Sequence, residues 1–346
     1  MNAKKKSSIL IIYTGGTIGM KADPGDQTLK PFDFSQILEE VPELSQFACK
    51  IDSYTFDPLI DSSDVEPTMW QRLAGVIRDS YDDYDGFLVL HGTDTMSYSA
   101  SALSFMLDGL DKPVIFTGSQ LPIGVPRTDG KENLISAVEI ASAKTPEGKA
   151  MVPEVCIFFG DKLLRGNRTT KVSAEQFDAF TSPNLPPLAE AGINIRYNLS
   201  LIRRPDPAVP FSIDTRLDTR VSILKIHPGI TPQVVKNILL GPETRAVIIE
   251  TYGSGNAPTK PWFLDIVREA RAMGKVLVNV TQCPSGCVNM NLYATGKPLL
   301  EAGTVSGYDS TTESALAKLF HLLGGCPDNE RVKALFDLDL KGEISK

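Results

Sequence analysis

Three short motifs in this sequence combine hydroxyls with glycine, one of them adding a carboxylate, and each comes at the end of an apolar run. Thr14-Gly15-Gly16-Thr17-Ile18-Gly19 follows residues 9–13, His91-Gly92-Thr93-Asp94-Thr95 follows 87–90, and Thr117-Gly118-Ser119-Gln120 closes the run 113–117. Glycines permit φ > 0 turns and let backbone N–H groups come close to a bound molecule. A threonine hydroxyl such as that of Thr17 is a weak nucleophile and needs a base. Thr93 and Asp94 make chemical sense beside it if a lysine joins them, because an amine near other cations, or partly withdrawn from water, can hold the neutral form that a base requires. Lys171, at the end of Arg165-Gly166-Asn167-Arg168-Thr169-Thr170-Lys171, is the candidate.

Each motif also has a plainer use. Glycine is common in turns after strands, and glycine-rich turns also cradle phosphates. The spacing at 14–19 matches neither G-x-G-x-x-G nor G-x-x-x-x-G-K-[ST], which speaks against a dinucleotide. Asp94 suits the cap of a following helix. His91 invites a Ser-His-Asp triad, but no G-x-S-x-G elbow accompanies it, and it reads as a structural histidine at a strand end. The segment 165–171 reads equally well as an exposed basic loop. Asp61-Ser62-Ser63-Asp64 offers groups suited to the ammonium and carboxylate of a small amino acid, and it equally suits a helix cap ahead of Pro67. Cys283 and Cys287 lie four apart, but zinc wants more ligands, and none of His91, His227 and His321 lies close in sequence. They read as packing or loop thiols, with no metal expected.

These groups need a sheet to position them. Short apolar runs alternate with helical patterns, which predicts an α/β fold with a mainly parallel sheet. Runs 9–13, 87–90, 113–117 and 155–159 read as strands. Residues 67–80 carry Trp70, Leu73 and Ile77 on one helical stripe, 99–107 are helical, and 131–143 align Leu134, Val138 and Ala141. The carboxyl ends of strands in an open parallel sheet face a common crevice, so motifs far apart in sequence can meet there. The segment ending at Lys171, following the strand 155–159, reaches the same crevice. From 194 to 219 the pattern breaks, with Pro205, Pro207 and Pro210 close together, as in a linker or irregular crossover. The alternation then restarts, with strands at 221–226, 246–250 and 275–280 and helices at 232–240 and 262–273. Gly274 stops the second of these helices. Ser310 with Glu313 forms a capping-box pattern ahead of a helix bearing Leu316, Leu319, Phe320 and Leu323. The expected division is a catalytic α/β domain over 1–196, a linker over 197–219 and a second α/β domain over 220–346.

Composition narrows the function. A chain of 346 residues is long enough for two domains, and a net charge of −7 makes it a poor candidate for binding nucleic-acid phosphates, which would need a basic face. The apolar run after Lys4, Lys5 and Lys6 is too short for a secretory signal, and no stretch approaches a membrane span. The 5 cysteines are odd in number and scattered, which fits reduced thiols and a cytoplasmic address.

Taken together, the motifs resemble the bacterial-type asparaginase family, and within it the cytoplasmic type I branch. The resemblance is carried by the Thr14–Gly19 turn, the Asp61–Asp64 and His91–Thr95 motifs and the segment ending at Lys171. It continues through Tyr252-Gly253-Ser254-Gly255-Asn256-Ala257-Pro258, Thr281-Gln282-Cys283 and Tyr293-Ala294-Thr295-Gly296, in family order from about residue 9 to the C-terminal helices. It implies hydrolysis of asparagine to aspartate and ammonia. The fold it implies has a larger N-terminal flavodoxin-like or Rossmann-like parallel sheet and a smaller C-terminal α/β domain. It makes Thr17 the nucleophile and Thr93, Asp94 and Lys171 a hydroxyl–carboxylate–ammonium relay. Ser62 and Ser63 hold the substrate's α-carboxylate, with Asp94 at its α-ammonium. Asn256 reaches a neighbouring subunit's site. A homotetramer built from intimate dimers is implied, and no cofactor is. Asparagine rather than glutamine is the substrate expected of this branch.

One feature departs from the family. Its first loop carries a tyrosine a few residues beyond the nucleophile that helps activate it and closes over the site, whereas residues 21–30 here hold none, and Thr28 or Leu29 falls nearest. The departure implies that Thr17 is activated differently, or leans more on Thr93 and Lys171, with 23–29 as the lid. Two other functions compete. The amidase-like subunit of a tRNA-dependent amidotransferase shares the fold, but it usually brings an extra N-terminal domain and an RNA partner, which an acidic chain opening at its first strand fits poorly. A non-catalytic amino-acid sensor would not need Thr17, Thr93, Asp94 and Lys171 together.

Overall fold

The computed structural model describes residues 6–22, 29–31, 41–291 and 296–346. The expected lid at 23–29 therefore lies outside the described residues except for Leu29, as do Tyr293, Ala294 and Thr295. The chain divides into two compact units, 1–182 with 186–214, and 183–185 with 215–346.

The first unit is built on strands β1 (Ser7–Tyr13), β2 (Cys49–Thr55), β3 (Gly86–Leu90), β4 (Val114–Thr117), β5 (Val155–Phe159), β6 (Lys162–Arg165), β7 (Ala189–Ala191) and β8 (Ile195–Tyr197). They form one sheet in the order β8-β7-β6-β5-β4-β3-β1-β2. The strands β2, β1, β3, β4 and β5 are parallel to their neighbours, and β6, β7 and β8 continue the sheet antiparallel. β3 and β5 are buried along their whole length, and β1 is buried from Ile9 on. Continuous apolar runs are what strands covered on both faces require. The register sets the level of the motifs. Tyr13 pairs with Leu90 and Leu90 with Thr117, so β1, β3 and β4 end side by side and their polar loops start at one height.

Three helices pack beside these strands and fix the loops at their ends. α1 (Pro67–Asp79) buries the stripe Met69, Trp70, Leu73, Ala74 and Ile77, and α3 (Gly130–Ser142) buries Leu134, Val138 and Ala141 among others. α2 (Met96–Met106) differs, because nearly all of it is buried and much of it is serine and alanine. Small side chains let other backbone pack close. A Cβ on Gly166 would lie 3.0 Å from the Ala100 Cβ and 3.0 Å from the Val155 oxygen.

This contact corrects the expected route to Lys171. The segment 165–171 does not follow β5 directly. An unforeseen strand, β6, first carries the chain back down the sheet, with Arg165 opposite Cys156. Residues 166–171 then return past α2, and Thr170 and Lys171 end in a short antiparallel ladder with Phe180 and Thr181. Nor is the segment an exposed basic loop, since Arg165 is 6% and Arg168 2% exposed. Arg165 is paired with Glu154 at 2.6 Å.

The second unit holds β9 (Val221–Lys225), β10 (Ala246–Thr251), β11 (Val276–Thr281) and β12 (Val305–Ser306) in sequential parallel order. Strand alternation splits its core in two. Val247 and Ile249 face one cluster with Val235, Leu239, Phe263 and Val267 from α4 (Pro232–Leu239) and α5 (Pro261–Ala272). Ala246 and Ile248 face another with Leu319, Leu323, Val332 and Phe336 from α6 (Thr312–Gly325) and α7 (Asn329–Phe336). Gly274, at φ 81°, follows the end of α5 as expected. The cap of α6 is displaced by one residue from the capping-box reading: Thr311 accepts from Ser314 N, while Ser310 donates to Gly307 O. Within 197–219, expected as a linker, Ser212 and Ile213 pair with Asp108 and Leu107 of the first unit.

Gly166→Val forces a branched side chain against α2 and is expected to destabilise the first unit by about 1–3 kcal/mol, the usual range for overpacking. A lowered urea midpoint at unchanged m would show this. An unchanged midpoint would mean that the segment backs away from the helix freely.

Candidate active site

The loops after β1 and β3 and the loop at 60–64 meet through glycine. A Cβ on Gly16 would lie 2.5 Å from Gly92 N, and one on Gly92 would lie 2.4 Å from Ser62 Oγ. Real Cβ atoms do not approach so closely, so glycine at these positions is what lets the chains touch. Gly15 and Gly16 also sit at φ 138° and 92°, where a side chain is strained. Backbone hydrogen bonds lock the arrangement: Thr14 N donates to Leu90 O at 3.0 Å, and Ile60 N donates to Thr14 O at 2.8 Å.

Thr17 begins a 3-10 turn, half-buried, one residue beyond the Gly16–Gly92 contact. Tyr13 lies behind that turn. Its hydroxyl is 3.4 Å from Gly16 O, and its ring occupies the space a Gly19 side chain would need. Burial pushes the Tyr13 pKa up to about 12, so the phenol stays protonated and donates. Nothing in the sequence patterns pointed to Tyr13; its place directly before the motif was the available signal.

Opposite the His91–Thr95 loop stands Lys171. Its Nζ donates to Thr93 Oγ1 at 2.8 Å and to Asp94 Oδ1 at 2.7 Å. The lysine side chain is 20% exposed and that of Asp94 62%, so the cluster is open to solvent on the Asp94 side. Asp94 is therefore not the cap of α2. Thr95 holds the cap position without a side-chain bond, and its hydroxyl donates to Ser62 O at 2.6 Å. Ser62 is buried, and its Oγ accepts from Asp94 N at 3.4 Å. Ser63 is exposed and donates from both N and Oγ to the Asp61 carboxylate. Those bonds hold the Asp61 carboxyl below its ordinary value and cap the short 3-10 turn at Ser62–Asp64, not the helix at Pro67.

The third motif is held from below. Asn133 of α3 donates to Gly118 O at 3.0 Å and accepts from Gly160 N at 3.2 Å, tying the ends of β4 and β5 together. Asp129 accepts from Gln120 N and Leu121 N.

His91 is fully buried, and burial lowers its pKa to about 4. Its Nδ1 lies 2.7 Å from Gly92 O, and its Nε2 lies 2.9 Å from Ser99 Oγ, which accepts from Trp70 Nε1 at 2.9 Å. The histidine thus belongs to no triad: its ring reaches neither Asp94 nor a serine nucleophile.

In the second unit, Asn256 closes a tight turn through two backbone bonds with Tyr252, and Asn279 supports that turn by donating to Gly255 O at 3.1 Å. Among the described residues no group of three or more His, Cys, Asp or Glu is disposed to hold a metal ion, and no helix is long and apolar enough to cross a membrane.

The family descriptions that match this chain are "Asparaginase, N-terminal" over residues 8–203 and "Glutaminase/Asparaginase C-terminal domain" over 220–336. L-asparaginase 1 of Escherichia coli K12 is 45% identical over 344 residues, which cover 99% of either chain. The crystal structure of L-asparaginase I from Vibrio cholerae superposes with a TM-score of 0.89 at 42% identity, covering 99% of this chain and 100% of that one. The thermostable L-asparaginase from Thermococcus kodakarensis gives 0.88 at 31% identity, covering 98% of this chain and 99% of that one.

The buried imidazole makes stability depend on pH. His91 has its pKa lowered from 6.5 to about 4, so in that window the unfolded chain binds a proton that the folded one refuses. Stability is complete above the upper value and falls as the pH drops towards the lower, by a total on the order of 3 kcal/mol. Urea unfolding of the wild type and of His91→Asn across this range should show the steeper fall in the wild type. Parallel curves would mean that the imidazole is charged in the fold.

Proposed function

The chain belongs to the asparaginase family, and from that membership we propose that it hydrolyses L-asparagine to L-aspartate and ammonia, with Thr17 as the nucleophile. The observation that supports the reading is the Lys171 ammonium bridging Thr93 Oγ1 and Asp94 Oδ1, on the loop whose Gly92 abuts Gly16 beside Thr17.

The reaction is a two-step acyl transfer. As Thr17 Oγ1 bonds to the carboxamide carbon, its proton departs. As the C–N bond breaks, the leaving nitrogen gains a proton and ammonia is released, leaving an aspartyl ester on Thr17. Water then adds to the ester carbon, the Thr17 oxygen recovers its proton, and aspartate leaves. Thr93 is the proton path to Lys171, and Lys171 serves as base once it has given up a proton. The Thr93 N–H meets the negative oxygen that forms on the attacked carbon.

The same loops suit the rest of an amino acid. Ser62 Oγ lies 3.4 Å from Asp94 N. The reading assigns the α-carboxylate to Ser62 with Ser63 and the α-ammonium to the Asp94 carboxylate, on two loops that touch at this bond. The remaining elements of the proposal are a homotetramer assembled from intimate dimers, Asn256 reaching a neighbouring subunit's site, and a cytoplasmic location. No nucleic-acid or membrane partner is included.

The protein alone, without tRNA or ATP, should release ammonia from asparagine. Thr17→Val should reduce turnover to background, and Lys171→Met should lower kcat by about 10²–10⁴, the range for a lost general base. Near-normal release by either variant would remove that residue from the mechanism. Binding of asparagine without any turnover by the wild type would replace the enzyme reading with that of a sensor.

A further inference from the structure

The buried chain Trp70–Ser99–His91–Gly92 has a direction. A carbonyl oxygen can only accept, so the 2.7 Å contact to Gly92 O puts the proton of His91 on Nδ1. In the neutral ring Nε2 is then an acceptor, and the Ser99 hydroxyl donates a hydrogen bond to it at 2.9 Å. Ser99 Oγ in turn accepts from the Trp70 indole, which can only donate, at 2.9 Å. The order of donors is therefore set from α1 through α2 to the end of β3, and it excludes the other tautomer.

The last link holds a peptide plane. The Gly92–Thr93 peptide is planar and trans, so its N–H points opposite to its carbonyl. With Gly92 O held towards a ring that is 1% exposed, the Thr93 N–H is turned away from the interior. That N–H has no acceptor among the described residues, and it belongs to the residue whose hydroxyl meets Lys171. Gly92 cannot be turned by a side chain of its own, because a Cβ there would strike Ser62 Oγ.

We infer that His91 is a positioning residue which, as its neutral Nδ1–H tautomer, tethers Gly92 O and so aims the Thr93 N–H at the oxyanion of the acyl transfer. This role rests on the proposed reaction. Burial that keeps the ring uncharged supports it, since an imidazolium would offer Ser99 a second donor and reverse the chain.

The test compares His91→Asn, whose amide Nδ2 can stand where Nδ1 stood and still donate to Gly92 O, with His91→Leu, which cannot donate. A lost oxyanion donor costs about 10²–10³ in rate, and a misaimed one is expected to cost about 10-fold or more, so His91→Leu should fall by that factor in kcat with KM within about twofold of wild type. His91→Asn should recover most of the loss, even where both variants lose similar Tm. Equal kcat loss in the two variants, or loss that tracks Tm alone, overturns the inference. Nitrogen NMR of the wild-type imidazole should find the proton on Nδ1 between pH 5 and 8, and finding it on Nε2 overturns the tether. The spectrum does not depend on turnover. A wild type that releases no ammonia but shows the Nδ1–H ring would therefore overturn the proposed reaction and, with it, the oxyanion role, while the tether itself stands.

Discussion

The chemistry of the first unit depends on one contact between parts of the chain that are 77 and 78 residues apart: the Lys171 ammonium between the Thr93 hydroxyl and the Asp94 carboxylate. An amine held this way cannot wander, and a hydroxyl bound to it is set in one orientation. Exposed ion pairs contribute little to stability, and Asp94 is largely exposed. The value of the contact therefore lies in geometry. The rest of the first unit can be understood as what brings these three groups together and keeps them in place.

Two features do most of this. The parallel strands β1, β3 and β4 end in register, which places the Thr17 and Thr93 loops next to each other. Glycine at 15, 16 and 92 then removes the side chains that would hold the loops apart. Lys171 arrives on a segment carried past a helix whose serines and alanines leave room for Gly166. Beneath the loops lie the buried His91 chain and Tyr13, which present only hydrogen bonds and packed rings to the chemistry above.

Much of this was legible in the sequence. The continuous apolar runs foretold the buried strands, and the stripes of Trp70, Leu73 and Ile77 and of Leu134, Val138 and Ala141 foretold the faces of α1 and α3. The glycine–hydroxyl motifs identified the loops that converge. The unreadable parts are tertiary. β6 has only Leu163 and Leu164 between the charges of Lys162 and Arg165 and so leaves no apolar run. Arg165 and Arg168 look like solvated charge until Glu154 and the neighbouring backbone bury them. The cap at Thr311 instead of Ser310 is a one-residue choice between two good capping residues, decided when Ser310 turns back to Gly307. The His91 chain joins three elements through single atoms, and no spacing rule encodes that.

The most direct test of the central contact is a double-mutant cycle on kcat/KM for asparagine with Thr93→Val and Lys171→Met. If the two side chains act as one unit, the double variant should be about as impaired as the worse single one, with a coupling energy of about 1 kcal/mol or more. Losses that simply add would mean that hydroxyl and amine act independently, and would contradict a shared role for the two groups.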